Sequence, residues 1–185
     1  LSTIDKAHRF MQEEGGNFVV KPARGAGGGW GIATKINSYK RLKRSSNKAS
    51  AFSDKLIIEK ELSGENYRLL YLNGEFIDAI RRDAPIVTGD GEQNLRALID
   101  KENQRRLDAS EPYALSPLTM DLDCQYTLSD RGASLNDIPG TGKQVEIKTA
   151  TNQNSRLENH SVRDELHPSI IDYGREISKV INVTL

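Results

Sequence analysis

The chain has 185 residues, with 26 Lys plus Arg against 26 Asp plus Glu, 36% hydrophobic and 28% charged. That is enough for one domain with its own core, or for two small lobes sharing one, and the balanced charge gives no global field for nucleic acid or a membrane surface. A single cysteine, Cys124, excludes an internal disulfide framework, no apolar run is long enough to span a bilayer and no stretch reads as a signal peptide, so a cytoplasmic protein is expected.

Ile4, Ala7 and Met11, with Phe10 beside them, fall on one face at helical spacing, and Gly15-Gly16 supplies a C-terminal stop. This helix is expected to pack against the first strand, where Phe18, Val19 and Val20 form a β-prone run that Pro22 ends. Ile32, Thr34 and Ile36 alternate with Ala33 and Lys35 in a second strand. Between the two lie Gly25, Gly27, Gly28, Gly29 and Gly31, a density that costs backbone entropy and needs a reason. A loop without Cβ atoms can turn successive N–H groups toward one anion, and phosphate fits best, with Lys21 supplying a full positive charge nearby. The dinucleotide fingerprint fails here, because starting from Gly25 its third glycine position is Trp30. A P-loop fails because a strand follows, and Pro139 to Gln144, PGTGKQ, lacks the spacing and the hydroxyl residue after its lysine. What remains is a glycine-rich β-hairpin able to close over a triphosphate, with a flexible, ligand-free tip as the alternative.

Residues 38–53 carry Lys40, Arg41, Lys43, Arg44 and Lys48 with Tyr39, Leu42 and Phe52 as the large apolar residues. Without interleaved aromatic platforms this is a solvated basic face rather than a single-strand binder. Leu56, Ile57 and Ile58 read as a buried apolar strand that turns polar at Glu59-Lys60-Glu61-Leu62. Such a strand end can offer backbone groups and an acidic side chain to a flat heterocycle between two lobes. Tyr67 to Leu72 and Glu75 to Arg82 are strands joined by Asn73-Gly74 in a two-residue turn. Both faces of the hairpin are apolar, so cover on both sides is expected. Arg81 and Arg82 at its end are either surface charge or anion ligands. Thr88 to Gly91 is a turn, Leu95, Leu98 and Ile99 begin an amphipathic helix ending at Arg105-Arg106, and Asp108 to Pro117 is loop. Met120, Leu122, Cys124, Tyr126 and Leu128 alternate as a strand would, although Met120, Cys124 and Leu128 also suit a helix. Cys124 reads as a buried small hydrophobe. Val145 and Ile147 mark a strand opening into a long polar loop, TATNQNSRLENHSV (149–162). His160 and His167 read as plain polar residues rather than metal ligands. Ile170, Gly174, Ile177 and Ile181 line one stripe of a last helix, after which another strand begins at Val183 to Leu185.

The order of VVKP, the glycine hairpin, a polar segment and LIIEKELSGENYRLLYLNGEF (56–76) resembles the nucleotide-binding core of the ATP-grasp ligases. VTGDGEQNLRALIDKENQRR (87–106) is similar to the characteristic insertion, and DELHPSI (164–170) to a later segment, of their cyanophycin synthetase-like and RimK-like branch. The resemblance covers most of the chain. It implies an α+β ATP-grasp fold of two lobes with mainly antiparallel sheets. Residues 1–62 would form the lid lobe, and 63–185 a C-terminal lobe that is incomplete before its metal-binding strands. It also makes residues 38–53 and 120–128 helical.

The reaction implied is amide or peptide bond formation, in which a carboxylate is activated by ATP to an acyl phosphate and then attacked by an amine. Lys21 with Gly25, Gly27, Gly28 and Gly29 would hold the phosphates. Glu59 would lie near the adenine amino group, Leu62 would meet the ring edge through its backbone and Glu65 would accept the ribose hydroxyls. Arg82 would stand near the transferred phosphate. Lys148 and Asn152 occupy positions where relatives carry an arginine and an asparagine at the acyl-phosphate and substrate site. ATP and Mg2+ are the implied cofactors, with no metal ligand in this chain, so the stretch alone is expected to bind ATP weakly without turnover. Small amino acid or peptide substrates are the implied partners, without nucleic acid or membrane and with homo-oligomerisation left open. Two departures from the pattern stand out: Lys148 loses the bidentate fork, and Arg156-Leu157-Glu158-Asn159 replaces an expected glycine pair. They keep a catalytically inactive, nucleotide-binding regulatory domain as the alternative.

Overall fold

A computed structural model describes residues 3–108, 116–150 and 156–181. Helix α1 (Thr3–Glu14) buries Met11 and sets Phe10 edge-on to Phe18 at 5.4 Å. It stops where Gly15 and Gly16 take φ of 62° and 87°, conformations without a Cβ penalty only in glycine. Strands β1 (Phe18–Pro22) and β2 (Ala33–Ile36) flank the glycine loop, and α2 (Tyr39–Ala49) follows, its first turn capped by the Ser38 hydroxyl accepting from Arg41 N. With β3 (Leu56–Lys60) they form an antiparallel sheet in the order β2-β1-β3. A bulge interrupts the β1–β2 register, and within it Lys35 adopts φ 57°. Glu61 holds that bend by accepting from the Lys35 backbone N–H at 3.0 Å and from its Nζ at 2.6 Å.

One face of this sheet buries Phe18, Val20, Ala33 and Ile36 against Met11, Leu42 and Ala49. The cross-strand pairs Val19 with Glu59 and Lys21 with Ile57 share the opposite face. The second sheet is built on the hairpin β4 (Asn66–Leu72) and β5 (Glu75–Arg82), whose turn residues Asn73 and Gly74 both have positive φ, 51° and 82°. This is the mirror-image turn that the Asn-Gly pair favours. Next come β6 (Ile86–Thr88), α3 (Leu95–Asp108), α4 (Leu122–Asp130) and β7 (Gln144–Glu146), which pairs antiparallel with β6. A 3₁₀ turn at Arg156–Glu158 leads into β8 (Asn159–Ser161), which extends the second sheet to the order β4-β5-β8, and α5 (Pro168–Ile181) packs across β4. Among the described residues every strand pair is antiparallel, in line with the α+β fold expected.

Three expectations change. The stretch from Leu56 is an edge strand, half-exposed throughout, with Ile57 38% accessible, because β3 has a neighbour on one side only. The β4–β5 hairpin is covered on one face: α5 lies over Leu69 and Tyr71, while Leu70 and Leu72 remain 54% and 44% accessible. The polar loop at 149–162 ends in a strand, since Asn159 to Ser161 supply backbone groups to the free edge of β5 and need no apolar side chain to do so.

The ambiguous run at 120–128 is helical, and its strand-like alternation has a physical cause. Helix α4 sits between two cores. Cys124 and Leu128 enter a cluster with Val87, Leu95, Ile99 and Ile147, while Tyr126 and Leu122 enter the one beneath the first sheet. A helix buried on opposite sides alternates in hydropathy much as a strand does. Burial, with Asp121 nearby, pushes the Cys124 thiol up to about 12, so it is a packing residue and not a nucleophile. Among the described residues no helix is long and apolar enough to cross a membrane.

Candidate functional site

The glycine loop leaves β1 at Pro22 and returns at Ala33 through two tight turns closed by Trp30 N–H to Gly27 O and Ile32 N–H to Gly29 O, each 3.3 Å. Gly25, Gly28, Gly29 and Gly31 all lie in the left-handed region, with φ from 62° to 83°. At Gly31 the need for glycine is absolute in a second sense: a Cβ there would come within 2.7 Å of the Phe52 ring and 2.9 Å of Pro22 Cγ. The root of the loop is thus locked against Phe52 and Pro22, while its tip, with Trp30 at 60% exposure, projects outward.

Beneath the tip lies a cavity of about 290 Å3. Gly28, Gly29 and Trp30 form one wall, and Ser116, Pro117, Thr119, Asp121 and Lys148 form the other. Lys148 is 3% exposed, and its Nζ donates to Asp121 Oδ2 at 2.6 Å and to Thr119 Oγ1 at 2.7 Å. Asp121 also caps α4, its Oδ1 accepting from Cys124 N–H at 3.1 Å. The lysine is therefore fixed in place and its charge offset by a neighbouring carboxylate, which leaves a nearly neutral wall.

No family model matches the chain. A cyanophycin synthetase from Trichormus variabilis is 24% identical over 188 residues, covering 100% of this chain and 21% of that protein. A second, from Crocosphaera subtropica, is 26% identical over 171 residues, covering 91% and 20%. The glutathione biosynthesis bifunctional protein GshAB of Clostridium perfringens is 22% identical over 189 residues, covering 100% and 24%.

Homologues of this chain are ATP-grasp ligases.

The chain spans about a fifth of the length of these curated relatives. Among solved structures, a bifunctional glutathione synthetase from Pasteurella multocida matches all of this chain and 25% of its own, with 19% identity and a TM-score of 0.45.

Of the residues to which the ATP-grasp resemblance gives roles, the structure brings Gly28, Gly29 and Lys148 to one cavity and separates the rest. Gly25 packs near Phe52 O and Gly27 accepts from the Trp30 N–H in the first turn, and neither lines the cavity. Lys21 does not line the cavity; its Nζ is 2.5 Å from Glu59 Oε1 on the outer face of the first sheet, because alternation along β1 turns it away from the core. Glu59 thus meets a lysine partner across the sheet. Leu62 is 86% exposed just beyond β3, and Glu65 hydrogen-bonds the Tyr67 hydroxyl, which raises the tyrosine pKa.

Arg82 ends β5 at 6% exposure, where burial first and then Arg68 hold its guanidinium below the usual arginine range. The cross-strand pairs Asn66–Arg82 and Arg68–Ile80 put Arg82 and Arg68 on the same face of the second sheet, opposite the one that carries Leu69. Asn152 lies outside the described residues. Among the described residues no group of three or more His, Cys, Asp or Glu could hold a metal ion, so no protein ligand set for Mg2+ is found.

Three contributors escaped the sequence. Asp121 carried a faint signal as a helix cap three residues before Cys124. Thr119 and Asp123 carried none, because their partners are 29 and 26 residues or more away in sequence. Of the Arg156 to Asn159 segment, Glu158 accepts from the buried Arg106, which also binds Glu102 at 2.9 Å, and so ties the end of α3 to β8.

Proposed function

We propose that this chain is the nucleotide-binding part of an ATP-dependent ligase that joins a carboxylate to an amine, with the ATP phosphates held beneath the glycine hairpin. The observation that carries this reading is the cavity in which left-handed Gly28 and Gly29 face a buried lysine, in a chain whose curated homologues along its whole length are ATP-grasp ligases. Left-handed glycines leave backbone N–H groups unshielded for phosphate oxygens, and preorganised donors of this kind stabilise charge during phosphoryl transfer. Trp30 supplies an aromatic edge to the same space.

ATP, when bound, supplies the phosphoryl group that turns a carboxylate into an acyl phosphate with release of ADP; the amine then displaces phosphate. Lys148 positions a donor at the cavity wall, and by the ATP-grasp resemblance Arg82, buried at the end of β5, is assigned to the transferred phosphate. By the ATP-grasp resemblance Asn152 takes a substrate-side role. Glu59, with the exposed stretch from Leu62 to Glu65, is assigned to the adenosine end. The names of the relatives support small amino acid or peptide substrates. Among the described residues no cluster of His, Cys, Asp or Glu fits a magnesium ion.

A second reading, nucleotide binding without ligation, is favoured by the Lys148–Asp121 pair, which already satisfies the lysine charge. Titration with ATP, followed through Trp30 as the single tryptophan, tests the first part. The parent chain saturates, and Gly28→Val, which forces a β-branched residue to φ near 62°, weakens binding about tenfold or more. The absence of any emission change or heat with saturating ATP overturns the reading. ADP release by the full-length protein in a screen of amino acids separates ligase from regulator.

A further inference from the structure

The start of helix α4 presents two carboxylates, at its N-cap Asp121 and at Asp123 in the first turn. Asp121 holds Lys148, and Asp123, fully buried, holds the main chain on both sides of the cavity. Its Oδ1 accepts from Thr34 Oγ1 at 2.6 Å and from Thr34 N–H at 3.2 Å, within the strand that returns from the glycine loop. Its Oδ2 accepts from Thr149 N–H at 3.0 Å and Ala150 N–H at 2.9 Å, the residues that follow Lys148. Thr127, one turn on, adds a hydroxyl contact to Thr149 Oγ1 at 3.0 Å.

A buried carboxylate is costly to desolvate, and the contact of α4 with the first sheet could be made by apolar groups, as Leu122 and Tyr126 make it. Only a carboxylate has acceptor capacity for four donors arriving from two directions. Resting on the nucleotide reading above, we propose that Asp123 is a positioning residue that sets the width of the phosphate site: one oxygen fixes the glycine hairpin, the other fixes the Lys148 wall, and the hairpin keeps its place over Lys148 through this bridge. Asp123 does not line the cavity and acts through the two walls it joins.

The substitution Asp123→Asn tests this. An amide has one acceptor oxygen and one donor nitrogen: the nitrogen faces either the Thr149 and Ala150 N–H groups or the Thr34 N–H, where only the Thr34 hydroxyl can turn to accept, and the wall on that side is loosened. Hydrogen exchange is measured without nucleotide on peptides spanning 27–34 and 147–150, and the ATP dissociation constant is measured through Trp30 at a temperature where the variant is folded. The expected result is about tenfold faster exchange at one or both walls with α1 and α3 unchanged, and an ATP dissociation constant raised about tenfold. Thr34→Val, which removes only the hydroxyl bond and keeps the shape, raises the constant about threefold and carries the test if Asp123→Asn does not fold. Exchange that rises equally everywhere, or a dissociation constant within twofold of the parent despite released walls, makes Asp123 a structural residue and overturns the proposal. If the parent chain does not bind ATP, the nucleotide reading fails by itself, and the exchange pattern still decides whether Asp123 bridges the walls.

Discussion

Replacing Lys148 by methionine keeps the length and most of the volume of the side chain and deletes its charge. The ammonium is bonded to Asp121 at 2.6 Å with side-chain exposures of 4% and 28%, so the pair is buried on the lysine side and partly open on the aspartate side. Breaking a fully buried pair costs about 3–5 kcal/mol because the remaining charge is left uncompensated. Asp121 keeps the Thr119 hydroxyl and the Cys124 N–H as donors and reaches some water, which brings the expected cost to about 2 kcal/mol. For a chain of this size that lowers the melting temperature by roughly 4–8 °C.

Asp121→Asn retains helix capping, since asparagine caps as well as aspartate, and removes only the negative charge. The double variant Lys148→Met with Asp121→Asn therefore recovers more than half of the loss. The assay is thermal and urea unfolding of the parent, both single variants and the double variant, read as a double-mutant cycle. A single Lys148→Met variant as stable as the parent, or a double variant no better than that single one, refutes the charge-compensation account of this wall.

Gly31→Ala combines a left-handed backbone, about 1–2 kcal/mol for an L-residue, with overpacking against Phe52 and Pro22, about 1–3 kcal/mol. Unfolding experiments are expected to show it more destabilised than Gly25→Ala, where the added Cβ meets only Phe52 O at 3.4 Å. Arg105 first, and then Arg106, hold the Glu102 carboxyl below its ordinary range against the opposing effect of burial. A depressed folded pKa means stability that is complete above the ordinary value and is lost as pH falls through the folded one. Stability is thus expected to drop below about pH 4.5, and Glu102→Gln flattens that limb of the pH–stability profile.

Much of the local structure was legible in the sequence because its causes are local. The Asn73-Gly74 turn, the stop at Gly15-Gly16 and the amphipathic stripe of α5 each follow from conformational preference or periodicity within a few residues. The bends of the glycine loop were readable for the same reason, and the structure places Gly28 and Gly29 at a cavity. The partners of charged groups were not readable. Lys21 turned to Glu59, and Lys148 to Asp121, through strand pairing and helix placement across 38 and 27 residues.

What the sequence alone determined, then, was which backbone segments can bend, pair or coil, because those preferences act over one or two turns of chain. Only the tertiary structure decided which wall faces the glycine hairpin, that α4 lies between two cores, and that Asp123 joins β2 to the segment after Lys148. Hydrogen bonds and ion pairs carry no sequence periodicity, and a carboxylate finds its donors only once packing has brought distant segments within about 3 Å.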